Sequence, residues 1–234
     1  MMAKNLPAID LVQFLGQIPV FDCLSADQRQ QILGQCRLHA LDQRQVLQAA
    51  GVPHHHLWVI VTGEIAMVAR SSDGEEMTLA IFGPGSTSSW IALFHDTPAE
   101  RNLVGAGKSH ILGIPRKIAL KLLEDHPALY PVVLKIEANR FRAALNLQQH
   151  NLVRERPRRV AGLLLMLIEM SGIKQHPHEV HLTSIELARM AHCSRQSLHE
   201  AIKLLAEQGV VRQRYGYLEV LETKKLMQIY EGHG

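Results

Sequence analysis

Three cysteines occur in 234 residues, Cys23, Cys36 and Cys193, and no two of them form a C-x-x-C pair. So sparse a set excludes a disulfide framework and points to a reducing compartment. With only Cys23 and Cys36 in the N-terminal half, a four-cysteine iron–sulfur site there is excluded too. Long apolar runs are missing. The most apolar stretch, "VAGLLLMLIEM" at 160–170, falls far short of the ~20 residues that span a bilayer. The opening "MMAKNLPAIDLVQFLGQIPVF" lacks a basic segment followed by an apolar core, so no secretory signal is expected. A soluble, cytoplasmic protein with no membrane partner is the expectation. Phosphate-cradling signatures are missing as well. There is no G-x-G-x-x-G, and the Gly-rich "GPGSTSS" does not run into G-K-[ST], which removes the common dinucleotide and P-loop sites.

What is present suffices for packed cores. Hydrophobic residues make up 47% of the chain, enough for one large domain or two modest ones. The net charge of +3 is unevenly placed: residues 1–149 carry 13 basic and 13 acidic side chains, whereas 150–234 carry 12 and 9. A mildly basic C-terminal part suits a polyanionic partner.

Residues 6–36 read as helical and amphipathic, with Ser25 and Gln28 spaced as a capping box. From about 37 to 115 the pattern changes to short alternating runs punctuated by glycine, with "SSDG" at 71–74 as a hairpin turn. So many short strands indicate a β-roll, jelly roll or barrel. Helices return after Pro115, first in "RKIALKLLEDH" and then in a long pattern starting near Leu129. On the latter, Leu134, Ala138, Phe141, Leu145, Gln148 and Leu152 step by four and three, an a/d seam with polar flanks. A two-stranded coiled coil, hence a homodimer, is expected. "RERPRR" at 154–159 breaks the seam, because Pro157 fits a first helical turn and not an interior. A hinge is placed near Arg154 to Pro157. The helix after it, to about Ser171, should bury Val160, Leu163, Leu164, Leu167 and Ile168.

The last third carries the functional signal. Thr183 and Glu186 are spaced as a capping box opening a short helix, 184–191. "HCS" makes a tight turn, and a second helix runs from about Ser194 to Gln208. "VVRQ", a turn at "RYG" and "YLEV" then read as a hairpin wing. Two helices, a short turn and a wing make a winged helix-turn-helix. The second helix has an apolar rear and a polar tip of Ser194, Arg195, Gln196, Ser197, His199 and Glu200. Such a tip suits the major groove: Arg195 offers a fork to guanine, and Gln196 bridges an adenine edge. Ser194, Ser197 and the helix N-terminus suit phosphates, and Arg212, Arg214 and Tyr215 of the wing suit the backbone.

Taken as a whole, the order of elements resembles the cyclic-AMP receptor protein / fumarate-nitrate regulator (CRP/FNR) family over nearly the full length. "LWVIVTGEIAMVARSSDGEEMTLAIFGPGS" is similar to the family's β-roll, "ERNLV" to the end of its phosphate-binding cassette, and "LTSIELARMAHCSRQSL" to its helix-turn-helix. The resemblance implies an α+β fold in three parts: a sensory β-roll (1–127), a dimerisation helix (128–153) and a winged helix-turn-helix (154–234). It implies a homodimeric, non-enzymatic regulator that binds double-stranded DNA at a pseudo-palindromic operator and engages RNA polymerase. The implied DNA set is Thr183, Ser194, Arg195, Gln196, Ser197, His199, Glu200, Arg212 and Arg214. The implied effector set is Ser88, Ser89, Trp90, Arg101, Asn102, Ala144 and Leu145.

The departures from the family pattern point away from cyclic AMP. The cassette Gly-Glu is matched by Ser89-Trp90, the residue beside the cassette arginine (Arg101) by Asn102, and the Thr-Ser pair of the long helix by Ala144-Leu145. The family's recognition-helix arginines are matched by Arg195 and, with reversed charge, Glu200, so a different operator is expected. His192 stands at the usual turn glycine, which demands a positive φ. "HHH" (54–56) and "HPHEVH" (176–181) fall in expected loops without a partner carboxylate and read as surface histidines. No metal and no cofactor is assigned. A cupin-like enzyme is disfavoured because 57–83 holds none of the 14 histidines. An effector-independent regulator with a degenerate roll and a haem- or redox-sensing relative remain as alternatives.

Overall fold

The computed structural model describes residues 9–70, 76–95, 97–152, 155–170 and 177–232, with the side chains of 147–152 excluded. The expected turn at 71–74 and the seam side chains Gln148 and Leu152 therefore lie outside the described residues, as does Arg154 of the expected hinge. The chain divides into two compact units. One comprises 9–69 and 81–138; the other comprises 139–170 and 177–232 within their described parts, together with 70 and 76–80.

The N-terminal part of the described chain opens with α1 (Leu11–Leu15) and α2 (Ala26–Leu33), not one continuous helix. Pro19 cannot sit in a helix interior, and the intervening Ile18, Val20, Phe21 and Leu24 are all buried. The capping box of Ser25 and Gln28 is present at the start of α2. The strands follow as β1 (Arg37–Leu41), β2 (Val46–Gln48), β3 (His56–Thr62), β4 (Ile65–Arg70) and β5 (Glu76–Phe82). After a short α3 (Ile91–Phe94) come β6 (Asn102–Gly105) and β7 (Ser109–Pro115). They form two sheets, ordered β1-β7-β3 and β2-β6-β4-β5. Strand β3 is buried along nearly its whole length, so its two faces serve two cores. By the two-residue period of a strand, Leu57, Val59 and Val61 share one face. They belong to a cluster with Phe14, Phe21, Trp90, Leu93, Leu112, Leu123 and Val133. Trp58 and Ile60 point the other way. The cluster is completed by α4 (Arg116–Asp125) and the first turns of α5 (Leu129–Leu152).

In the second unit, α6 (Arg156–Met170) buries Val160, Leu163, Leu164, Leu167 and Ile168, as its spacing predicts. It packs against α8 (Arg195–Glu207) and α9 (Thr223–Glu231), and α8 in turn against α7 (Ser184–Met190). A sheet ordered β8-β10-β9 closes the unit: β8 (His178–Val180), β10 (Tyr217–Val220) and β9 (Val211–Arg214). Two expected loops need correction. His56 opens β3 and His178 opens β8, because each is drawn into a ladder by an adjacent strand, β7 and β10 respectively. Among the described residues, no helix is long and apolar enough to cross a membrane.

Candidate DNA interface and effector region

Helix α8 has the two-ended character its sequence suggests. Leu198, Ala201, Ile202 and Leu205 are buried, each large aliphatic contributing about 1.5–3 kcal/mol. Ser194 is the N-cap: its Oγ accepts from Ser197 N at 3.1 Å and donates to Ser197 Oγ at 2.9 Å. Both serine hydroxyls therefore already have an intramolecular partner. Arg195, Gln196, His199 and Glu200 are exposed. Gln196 Nε2 donates to Glu200 Oε1 at 3.3 Å, and Glu200 Oε2 lies 3.8 Å from Arg156 Nη1. Among the described residues no hydrogen bond or ion pair engages Arg195.

The turn between α7 and α8 is set by hydrogen bonding. Cys193 N donates to Ala188 O and His192 N to Arg189 O, the paired bonds of a Schellman motif. Its left-handed residue is His192, at φ 48°. Helix α8 ends in the same motif, with Val210 N on Leu205 O and Gly209 N on Ala206 O, and there the left-handed residue is Gly209, φ 71°. Thr183 caps α7 as expected, exchanging hydrogen bonds with Glu186. In the wing, Arg212 and Arg214 are not isolated. Both pair with Glu219, a buried carboxylate that sequence reasoning missed.

The residues of the expected effector set are dispersed in role. Ser88 stitches its segment to β3: Trp58 N donates to Ser88 Oγ at 3.0 Å, and Ser88 N to Trp58 O at 2.7 Å. Trp90 is fully buried within the helix-side cluster. Its backbone N donates to Glu137 Oε1 at 2.9 Å, and Ser89 Oγ to Glu137 Oε2 at 3.4 Å. Glu137, on α5, is a second residue the sequence did not reveal, since its partners lie 47 and 48 positions away. Arg101 contacts its neighbour Glu100, Nη1 to Oε2 at 3.3 Å. Asn102 Oδ1 accepts from Ala50 N at 2.7 Å. Ala144 and Leu145 are exposed. On α5, Leu134, Ala138, Phe141 and Leu145 are all exposed, whereas Leu129, Val133 and Ala143 are buried, so these four residues lie off the helix's buried side.

Among the described residues neither histidine tract forms a metal-holding group. Burial, with Arg116 and His55 nearby, pushes His54 below its ordinary range, and burial does the same to His56. In the second tract a carboxylate partner does exist: His181 Nε2 lies 2.9 Å from Glu179 Oε2. Among the described residues no group of three or more His, Cys, Asp or Glu side chains could hold a metal.

Comparison with known proteins fits this geometry. The family model for a cyclic nucleotide-binding domain matches residues 38–126, and that for a Crp-like helix-turn-helix domain matches 158–229. The chain is 30% identical over 179 residues to the "Cyclic AMP receptor protein" of Thermus thermophilus, covering 75% of this chain and 80% of that one. It is 25% identical over 169 residues to a "CRP-like cAMP-activated global transcriptional regulator" of Mycobacterium tuberculosis, covering 70% and 75%. The fold is shared with a solved CRP/FNR-family transcriptional regulator of Thermus thermophilus. The TM-score is 0.56 at 22% identity, over 85% of this chain and all of that one.

Proposed function

This chain belongs to the CRP/FNR family of transcription regulators, and from that premise we propose that it acts in the cytoplasm as a homodimer reading a pseudo-palindromic operator. The observation that carries the reading is α8, whose apolar side is buried while Arg195 is exposed and unengaged at its tip. Two such tips, related by the α5 seam, meet half-sites about one helical turn apart, ~34 Å. Arg195 reads guanine, Gln196 contributes a second base contact, and Glu200 accepts from cytosine. Thr183, His199 and the wing arginines contact the flanking backbone. RNA polymerase is a further partner on this reading.

The effector is a small molecule other than cyclic AMP, acting at the roll and the adjoining part of α5. Three features support this. An indole packed in the helix-side core stands at the family's glutamate position, Asn102 is engaged with Ala50, and Ala144 and Leu145 replace hydroxyl side chains. The Glu137 bonds to Ser89 and Trp90 favour a second reading in which the roll needs no effector, because a carboxylate of the chain itself already links α3 to α5. Native mass spectrometry of the purified dimer separates the two, by a bound small molecule or none.

Arg195→Ala tests the DNA role. It should cost about 1–3 kcal/mol of discrimination at one base pair per half-site and leave the dimer intact. Undiminished operator protection by Arg195→Ala would refute the assignment of the recognition helix.

A further inference from the structure

The three-stranded wing sheet has one apolar and one charged face. Val180, Val211, Leu218 and Val220 are buried. On the other face the register sets Glu219 between Arg212 of β9 and Glu179 of β8, with Arg214 paired to Tyr217 one step along. Two carboxylates directly opposite each other on neighbouring strands repel, so this arrangement needs an explanation. On one side Glu179 is met by His181. On the other, Glu219 takes both wing arginines, Oε2 to Arg212 Nη1 at 3.5 Å and Oε1 to Arg214 Nε at 3.2 Å. The Glu219 side chain is only 10% exposed, whereas those of Arg212 and Arg214 are 54% and 46% exposed. The carboxylate lies behind the two guanidinium groups, and the guanidinium groups face water.

We propose that Glu219 is a positioning residue that aims Arg212 and Arg214 at DNA phosphates; the inference rests on the DNA-binding reading above. An arginine on an exposed strand has many rotamers, and fixing them on a phosphate costs binding free energy. A buried carboxylate that holds both side chains from the rear removes part of that cost before DNA arrives. Each guanidinium has five N–H donors, and the contacts to Glu219 use one nitrogen of each. The remaining donors are available to a phosphate fork.

The test has an unusual sign. Glu219→Gln removes a negative charge from a surface that faces a polyanion. If charge alone mattered, duplex binding would tighten. Positioning demands the opposite. Affinity of the full-length chain for a labelled mixed-sequence duplex is measured by fluorescence anisotropy over a salt series. Glu219→Gln should bind roughly threefold to tenfold more weakly. The slope of log K against log salt should fall by about 1 to 2, at ~0.9 per lost phosphate contact. Glu219→Asp, which keeps the charge and shortens the reach, should weaken binding in the same direction; it carries the test if the Gln variant does not fold. In an Arg212→Ala/Arg214→Ala background, Glu219→Gln should cause no further loss of affinity, and removal of the charge can there only tighten binding.

Equal or tighter binding by Glu219→Gln overturns the proposal. So does a loss of affinity that persists in the double-alanine background, since Glu219 would then act through the fold and not through the arginines. A wild-type chain with no salt-dependent duplex binding overturns the DNA-binding reading itself, and this inference with it.

Discussion

Truncating Phe141 to alanine probes the surface at which the proposed homodimer would associate. Phe141 is 66% exposed on α5, beside Leu134 at 67% and Leu145 at 44%. Full burial of a phenylalanine contributes about 1.5–3 kcal/mol. About two-thirds of that is available at an interface, and a two-fold axis uses the residue twice, giving about 2–4 kcal/mol per dimer. The alanine that remains recovers a fraction, so Phe141→Ala should weaken association by about 2–3 kcal/mol, roughly 30- to 150-fold in Kd. Sedimentation velocity over a concentration series reads this directly. A circular dichroism melt at low concentration controls for folding. An exposed side chain makes few contacts within its own chain, so monomer stability should move by no more than about 0.5 kcal/mol. An unchanged dissociation constant, or a wild-type chain monomeric at every concentration, would refute the seam.

Two other outcomes follow from local chemistry. His192 occupies the left-handed position of a helix-ending motif at φ 48°, where an L side chain costs about 1–2 kcal/mol and glycine none, less glycine's own chain-entropy cost of about 0.5–1 kcal/mol. His192→Gly should therefore raise the thermal midpoint by a stabilisation of about 0.5–1 kcal/mol, and a lowered midpoint would contradict the turn geometry. Cys36 donates from Sγ to Ile32 O at 3.1 Å, and burial pushes its thiol from 9.0 up to about 11. Below that range it stays protonated, with ~100-fold less thiolate near pH 8 than an unshifted thiol. In alkylation followed by peptide mapping, exposed Cys23 should react well before Cys36; equal rates would contradict the burial.

The periodic parts of the chain were legible in its sequence. Alternation marked the strands of the roll, the 3.6-residue period marked α6, and two capping boxes marked the starts of α2 and α7. The split of α8 into a buried and an exposed side was readable because its apolar and polar residues segregate by position. Legibility failed where a distant partner decides the outcome. His178 becomes a strand residue only because β10 passes beside it. The stretch from 6 to 36 has helix-like composition, yet Ile18, Val20 and Phe21 are buried in turns around Pro19. The match of Trp90 to the family's cassette does not reveal its packing with the helix-side cluster, which depends on contacts from α4 and α5. Glu137 carries no local signature, since its partners Ser89 and Trp90 lie 48 and 47 positions away. The register of the Gly216 hairpin, however, would place Glu219 opposite Arg212, and that signal was present in the wing sequence.

The spacing of the half-sites tests the central claim most directly. Operators are selected from a random pool with the wild-type chain, and the selected site is then lengthened between its halves. The account predicts a pseudo-palindrome with centres about one helical turn (~34 Å) apart, and loss of specific binding when about half a turn is inserted. Selection of a single asymmetric site, or affinity indifferent to the insertion, would contradict a dimer that reads DNA with two α8 tips.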